Sequence, residues 1–332
     1  MLETRQQNVQ QWVRRLRGRR EINVLFGIAV LCVLIFLRNS NFVNLFNIQV
    51  ILRQVAIFGL LAIAEMLVII TAGIDLSVGS LVAFVGVVEA LLFTRLKCPL
   101  PLALVAGILS AVAIGFYHGV AVSKWLIPPF IITLGSLSIW RGMATGLTKS
   151  YPVLIDNVAF RWIGQGMIGI LPVPVLLLVI VAFLLGYMLN RTSLGRSIYA
   201  IGGNVEAARL SGIPVTRVLI ITYCLASLIV GIAGTIVAGR MAEGLPSVAN
   251  GYELNAIAAT IIGGTSFFGG TGTVPGTLLG ALLMAVIDNS LILGGISPYW
   301  YTLVVGTVIV LAVTIDVVST NRRRRAEELL EL

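Results

Sequence analysis

The sequence predicts an all-α fold, a polytopic bundle of about ten transmembrane helices of which some are short or broken. Hydrophobic residues make up 58% of the 332 residues and charged residues 11%, and the mean hydropathy is +1.01. A soluble protein of this size has about 25% charged residues. Apolar runs near the length needed to cross a bilayer recur along the whole chain. These observations exclude a soluble globular fold and make membrane lipid an expected partner.

Arginine clusters flank the apolar region and predict its orientation. Five arginines lie between residues 14 and 20, and residues 322–325 are four more. Such clusters mark the cytoplasmic ends of spans. We therefore expect a basic arm, 1–21, and a charged tail, 319–332, on the cytoplasmic side. The net charge of +9 is then a membrane signal, and no nucleic-acid partner is expected.

Residues 22–318 form the predicted transmembrane domain. Two cytoplasmic ends require an even number of spans, and ten are expected. They are residues 22–37, 50–70, 76–93, 100–122, 128–147, 171–189, 218–238, 253–268, 274–293 and 299–317. The first run is expected to be retained, because no small-residue cleavage site follows it. The polar stretch 149–169 is expected to be an external loop.

A polar interval, residues 190–217, separates the sixth and seventh predicted spans and contains a short helix with both ends marked. Asn204 is a good N-cap, because its side-chain oxygen can accept from a free N–H of the first turn. Glu206 follows where the helix dipole favours an anion. Gly212 suits the position after the helix, and Pro214 prevents its continuation. After six spans this interval is expected to be cytoplasmic, either as a docking element or as an ordinary solvated loop.

The short helix carries a partial family motif. Glu206-Ala207-Ala208, followed after three residues by Gly212, resembles the EAA loop of bacterial ABC-importer permeases, although the later Ile-x-Leu-Pro part of that pattern is absent. In that family the loop is a coupling helix that sits in a groove of a cytoplasmic ATPase. The resemblance implies that the ATPase-coupling residues are Asn204, Glu206, Ala207, Ala208, Arg209, Leu210 and Gly212.

A second motif follows the second predicted span, where residues 73–80 read Gly-Ile-Asp-Leu-Ser-Val-Gly-Ser. Gly73 permits a sharp turn, and Asp75 or Ser77 can cap the next helix. The run resembles the signature of permeases for ribose and related monosaccharides. The glycine-rich segment 256–284 resembles the C-terminal block of the same family.

Over roughly residues 22–318 the sequence thus resembles the permease subunit of a bacterial monosaccharide ABC importer. The resemblance implies a type II importer-like bundle in the inner membrane. It also implies three protein partners: a periplasmic sugar-binding protein, a second permease subunit, identical or different, and a cytoplasmic ATPase that holds ATP and magnesium. This chain has no P-loop motif, and neither a cofactor, a bound metal nor an enzymatic activity is expected in it.

Polar side chains within or beside the predicted spans are candidates for the translocation path, because such groups are costly in a membrane. The candidates are Glu65, Asp75, Ser77, Asp288 and Asn289. Each has a structural alternative: a hydrogen-bonded carboxyl at Glu65, helix capping at residues 75 and 77, and an interhelical polar contact at residues 288 and 289.

Other functions stay open at this point. A branched-chain amino-acid permease belongs to the same superfamily, although the Gly-Ile-Asp-Leu-Ser run favours sugar. An ion-coupled secondary transporter would use intramembrane charges such as Glu65 and Asp288, but would leave the docking helix unexplained. A membrane-embedded enzyme or scaffold is disfavoured, because no nucleophile–base cluster is present.

Overall fold

A computed structural model gives the fold of residues 20–295, 297, 300, 302–307, 310–311 and 314. Residues 1–19 of the predicted basic arm, the predicted charged tail and nine of the nineteen residues of the tenth predicted span lie outside the described residues. Within the described part, the prediction of an all-α membrane bundle is confirmed.

The helices follow the predicted order. They are α1 (Arg20–Arg38), α2 (Leu45–Ile70), α3 (Val78–Thr94), α4 (Leu100–Ser123), α5 (Pro129–Thr148), α6 (Val158–Gln165), α7 (Val173–Arg191), α8 (Ser193–Gly203), α9 (Val205–Leu210), α10 (Val215–Met241), α11 (Tyr252–Ile262) and α12 (Val274–Leu293). Of these, α2, α4, α5, α7, α10 and α12 are long and apolar enough to cross a membrane, and α1, α3 and α11 contain shorter apolar segments.

Two of the predicted segments differ from the structure. The eighth span is shorter than predicted, since α11 ends at Ile262 and Gly264 adopts a left-handed φ of +95°, a conformation that stops a helix. The predicted external loop 149–169 is partly folded. It contains α6, which Asn157 caps by accepting a hydrogen bond from the amide of Phe160.

Four two-residue strands form two small antiparallel pairs. β1 (Val153–Leu154) pairs with β4 (Glu243–Gly244), and β2 (Met167–Ile168) pairs with β3 (Leu171–Pro172). The first pair joins the segment after α5 to the segment after α10 and therefore marks one face of the bundle, which we call the outer face after the predicted external loop. α9 precedes α10 and lies at the opposite end, which we call the coupling face after the predicted role of α9.

α2 lies at the centre of the bundle, and α10, α11 and α12 pack around it. Every residue from Ala56 to Ile70 is buried. A helix that is apolar on all sides is typical of the centre of a large bundle. Because this stretch of α2 has no free side, its polar groups need partners within the chain.

Glycines allow the closest helix contacts. α4 packs along α10, and a methyl group added at Gly119 would lie 2.6 Å from the Cα of Ile220. Membrane helices gain little hydrophobic free energy from association, so close backbone packing at small residues is a main source of stability. The contact holds α10, which follows directly from the coupling face, firmly against the bundle.

Candidate functional site

The short helix α9 has the two ends that the sequence predicts. The side-chain oxygen of Asn204 accepts a hydrogen bond from the amide of Ala207 at 2.9 Å. At the other end Gly212 has a left-handed φ of +81°, and the amide of Ile213 donates to the carbonyl of Ala208 at 3.1 Å. Capping of both ends gives six residues a defined helix that would be marginal in isolation.

The outer side of α9 is amphiphilic. Leu210 is 89% exposed, and Glu206 and Arg209 form an exposed ion pair at 3.3 Å. Ala208, one of the predicted coupling residues, is buried and faces the bundle. An exposed ion pair contributes little stability, so these side chains are free to serve an external partner.

The sequence did not predict α8. Thr192 caps it by accepting from the amide of Gly195 at 3.2 Å, and its buried side includes Ile198 and Ile201. Together with Leu194 these residues have helical spacing, a signal that the arginines of this polar interval obscure. α8 ends at Gly203 and α9 begins at Val205, so Asn204 is the only residue between the two helices.

α8 holds the coupling face to the end of α2. The carbonyl of Ile70, the last residue of α2, accepts from the amide of Gly270 at 2.9 Å, and Gly202 of α8 packs directly against that carbonyl. The hydroxyl of Tyr199 donates to the carbonyl of Gly272 at 2.7 Å. Burial raises the pKa of Tyr199 above its ordinary value, which keeps the phenol protonated as a donor.

The predicted path residues Glu65, Asp75 and Ser77 lie together where the chain breaks between α2 and α3. Glu65 accepts from the amide of Asp75 at 3.0 Å, and Asp75 accepts from the amide and hydroxyl of Ser77 at 2.8 and 2.6 Å. Asp75 therefore provides the acceptor just before α3. All three are buried, so none of them meets an open path in this conformation.

Further polar groups surround this break. Nδ1 of His118 lies 3.9 Å from Asp75, and its Nε2 is 2.7 Å from the hydroxyl of Ser136. The hydroxyl of Thr133 donates to the carbonyl of Ile74 at 3.0 Å. Within the described residues, Oε2 of Glu65 and Nδ1 of His118 have no hydrogen-bond partner, so this buried polar network is only partly satisfied. The observed contacts correspond to the structural alternatives, and the path role of the three residues stays a prediction.

The two candidates in α12 are separate from the break. Asn289 exchanges two hydrogen bonds with Asn47, at 2.8 and 3.0 Å, which is the interhelical polar contact named as its alternative. Asp288 is partly exposed and interacts electrostatically with Arg240, whose guanidinium donates to Gln54 at 2.9 Å. The structure thus divides the five path candidates between two places.

A different surface, the outward side of α5, combines small residues with exposed apolar side chains such as Leu134, Ile139 and Met143. The outward side of α5 presents Gly135, Ser138, Gly142 and Gly146, and a methyl group at any of these three glycines would meet no atom of the chain within 4 Å. The inward side is fixed, since Arg141 donates to the carbonyls of Pro246 and Val248 at 2.7 Å. No contact within the described residues therefore requires these glycines.

The sequence between residues 47 and 313 matches the family described as "Branched-chain amino acid transport system / permease component". The chain belongs to this permease family. The ribose import permease protein of Escherichia coli is 40% identical over 296 residues, 88% of this chain and 92% of that protein. Its counterpart in Bacillus subtilis is 38% identical over 298 residues, 89% and 92% of the two chains.

The xylose transport system permease protein of Escherichia coli is 34% identical over an alignment of 360 positions. The alignment covers 90% of this chain and 91% of that protein. No solved structure matches the chain. The family match over residues 47–313 includes both α9 and the break between α2 and α3.

For this permease, sequence reasoning found α9 and the break but missed what joins them and what faces outward. Gly202 and Tyr199 lie in the unpredicted helix α8, and one glycine among 35 carries no signal of a close contact. The outward face of α5 had a signal, since the predicted fifth span is rich in Gly, Ser and Thr. This composition indicated no function by itself, because the sequence does not show which side of the helix is exposed.

Proposed function

We propose that this permease is the membrane subunit of an ABC importer that passes a monosaccharide, most simply a pentose, into the cytoplasm. The observation that carries the proposal is the similarity, over about nine-tenths of each chain, to permeases named for ribose and xylose. The coupling face is then cytoplasmic, both termini lie in the cytoplasm and the membrane is the bacterial inner membrane. A periplasmic binding protein delivers the sugar and selects it.

We propose that α9 docks on the cytoplasmic ATPase, which binds ATP and magnesium and supplies the energy. The capped ends hold α9 in one orientation. Leu210 projects from this helix and is 89% exposed, so the described residues leave nearly all of its side chain uncovered. A single exposed leucine is common on protein surfaces. Here it lies on a polar helix beside an ion pair that also faces outward, which suits insertion into a groove with a polar rim.

We propose that the outward face of α5 lines the sugar path and meets the second permease subunit. Only 17% of the most apolar window of α5 is buried in the chain, and its mean hydropathy is 1.2, against 1.8 to 2.4 for the other five long spans. Glycine in a helix costs about 0.5–1 kcal/mol relative to alanine. Several such glycines on an open face fit a surface that another subunit or a passing sugar must approach closely.

The test is transport by the complete complex in proteoliposomes, with the ATPase and the binding protein from the same operon. We expect ATP-dependent uptake of ribose or xylose that requires all components. Uptake of leucine or valine instead would favour the branched-chain amino-acid alternative that the family description raises. Uptake driven by an ion gradient in the absence of the ATPase would contradict the importer proposal.

The docking role of α9 has its own test. Leu210→Lys is compatible with the helix, because a cation suits the last turn, but it places a charge where an apolar contact is proposed. We expect the variant to insert in the membrane and to lose co-purification with the ATPase. Leu154→Lys, at a leucine that is 70% exposed on the outer face, is the matched control and should retain the ATPase.

A further inference from the structure

Three chain segments meet at the cytoplasmic end of α2. The amide of Gly270 donates to the carbonyl of Ile70 at 2.9 Å, and the backbone of Gly202 covers this hydrogen bond. A methyl group at Gly202 would overlap the Ile70 oxygen and lie 2.7 Å from the Gly270 nitrogen. We call this contact of residues 70, 202 and 270 the glycine junction.

The glycine junction is rigid because it is a contact between backbones. A long side chain can change rotamer when its neighbour moves, but a peptide group held against a carbonyl cannot. Tyr199, one turn before Gly202, adds a second attachment through its 2.7 Å hydrogen bond to Gly272. α8 is therefore fixed both to the end of α2 and to the glycine-rich segment that precedes α12.

On one side the glycine junction is continuous with the docking helix. Gly202 lies two residues before Asn204, which caps α9, and α8 and α9 pack on each other. No flexible linker separates them. A displacement of α9 by a protein bound to it is therefore transmitted to Gly202.

On the other side the glycine junction is continuous with the buried break. Ile70 ends α2, Ala72 has a left-handed φ of 61°, and Asp75 follows with its amide bonded to Glu65. Beside the contact lies a cavity of about 290 Å³ whose lining includes Gly73, Ile201, Val205 and Tyr223. Space is thus present beside the glycine junction for the residues that line this cavity to move.

We propose that Gly202 is a positioning residue that passes the movement of α9 to the break between α2 and α3. The proposal rests on the proposed docking role of α9. Movement of α9 shifts the Gly202 backbone against the Ile70 carbonyl, and the end of α2 moves with the residues 71–77 that follow it. The hydrogen bonds of Asp75 transmit that shift to the start of α3.

The chain offers a matched pair of variants for the test. Gly202→Ala places a methyl group in the glycine junction, whereas the same methyl group at the neighbouring Gly203 meets no atom within 4 Å. Both glycines are helical, so the helix propensity change is the same. The complete complex, with ATPase and binding protein, is reconstituted for each variant, and three quantities are measured: ATPase association, ATP hydrolysis and sugar transported per ATP.

We expect the Gly202→Ala complex to assemble and hydrolyse ATP while sugar transported per ATP falls about fivefold or more, the size of effect that coupling positions show. Gly203→Ala should behave as the unmodified complex. Tyr199→Phe removes only the hydroxyl and should lower the same ratio by about twofold. A merely structural role would lower assembly and hydrolysis together and leave the ratio unchanged.

Two results overturn the proposal: a normal ratio in an assembled Gly202→Ala complex, or, if that variant does not assemble, a normal ratio in Tyr199→Phe. Failure of the docking role is a separate outcome. In that case Leu210→Lys retains the ATPase, whereas failure at the glycine junction leaves the Leu210→Lys defect in place and makes Gly202→Ala and Gly203→Ala alike.

Discussion

α5 and α7 are both largely uncovered by the rest of the chain, with 17% and 33% of their most apolar windows buried, yet the side chains that they expose differ. α7 presents Val179, Ile180, Phe183 and Leu184, which suit lipid tails. α5 also exposes Leu134, Ile139 and Met143, but among them lies a line of small residues, Gly135, Ser138, Gly142 and Gly146. Exposure alone therefore does not identify a functional membrane surface; the kind of side chain that is exposed does.

The largest effect is expected where a bulky side chain fills the α5 face. Gly142→Trp should reduce transport by at least about tenfold, because the width of a path limits the solute that passes it. Gly186→Trp in α7 is the matched control, since a methyl group at either glycine meets no atom within 4 Å. The measurement is sugar uptake by the reconstituted complex, with the amount of assembled complex determined in parallel.

Equal loss of uptake in both variants would break the comparison, because α7 would then be as sensitive as α5. Loss of the second permease subunit from the Gly142→Trp complex would give the difference between α5 and α7 another meaning. The α5 face would then be an interface first and a path only where the interface opens.

A smaller effect is expected in the access of water. In a protein whose three native cysteines are replaced by alanine, Ser138→Cys should react with a membrane-impermeant thiol reagent at least about fivefold faster than Val179→Cys, because the reactive thiolate forms only in a wet environment. The rates are measured on the assembled complex, with and without ATP. Equal, slow rates would place both faces in lipid.

The contrast between α5 and α7 also shows what the sequence can and cannot predict. Apolar length predicts spans, and the two helices are alike in that respect. The side of a helix that faces outward depends on contacts with residues far away in the chain, such as those of Arg141 with Pro246 and Val248. Those contacts leave no local pattern.

The candidate site likewise has features that depend on neighbouring residues in the sequence and features that depend on distant ones. The ends of α9 are local, because Asn204 and Gly212 act within one turn of the helix, and both are as predicted. The roles of Glu65 and Asn289 are set by partners 10 and 242 residues away. From the sequence these polar residues could be recognised as costly in a membrane. The sequence could not show whether each one lines the translocation path or only stabilises the fold.

The polar groups that face inward should then affect stability more than transport. Asn289→Leu leaves the side-chain oxygen of Asn47 without its donor, while the Asn47 amide nitrogen keeps its hydrogen bond to the carbonyl of Phe42, and should destabilise the protein by about 1–3 kcal/mol. The double variant with Asn47→Leu should recover part of that loss, since neither amide is then left unpaired. Thermal unfolding of all three variants measures the coupling between the two residues, and purely additive losses would contradict the observed contact.

The smallest effect is expected for Glu65→Gln. The amide oxygen of glutamine can still accept from Asp75, the side chain keeps its shape, and the cost in stability should be under about 1 kcal/mol. Transport should stay within about twofold of the unmodified complex if Glu65 serves only to hold the break. Glu65→Leu, which removes the acceptor, should lower the unfolding temperature clearly. A large loss of uptake in a stable Glu65→Gln complex would give the carboxyl a part in transport, and the division between an inward polar scaffold and an outward polar path would no longer hold.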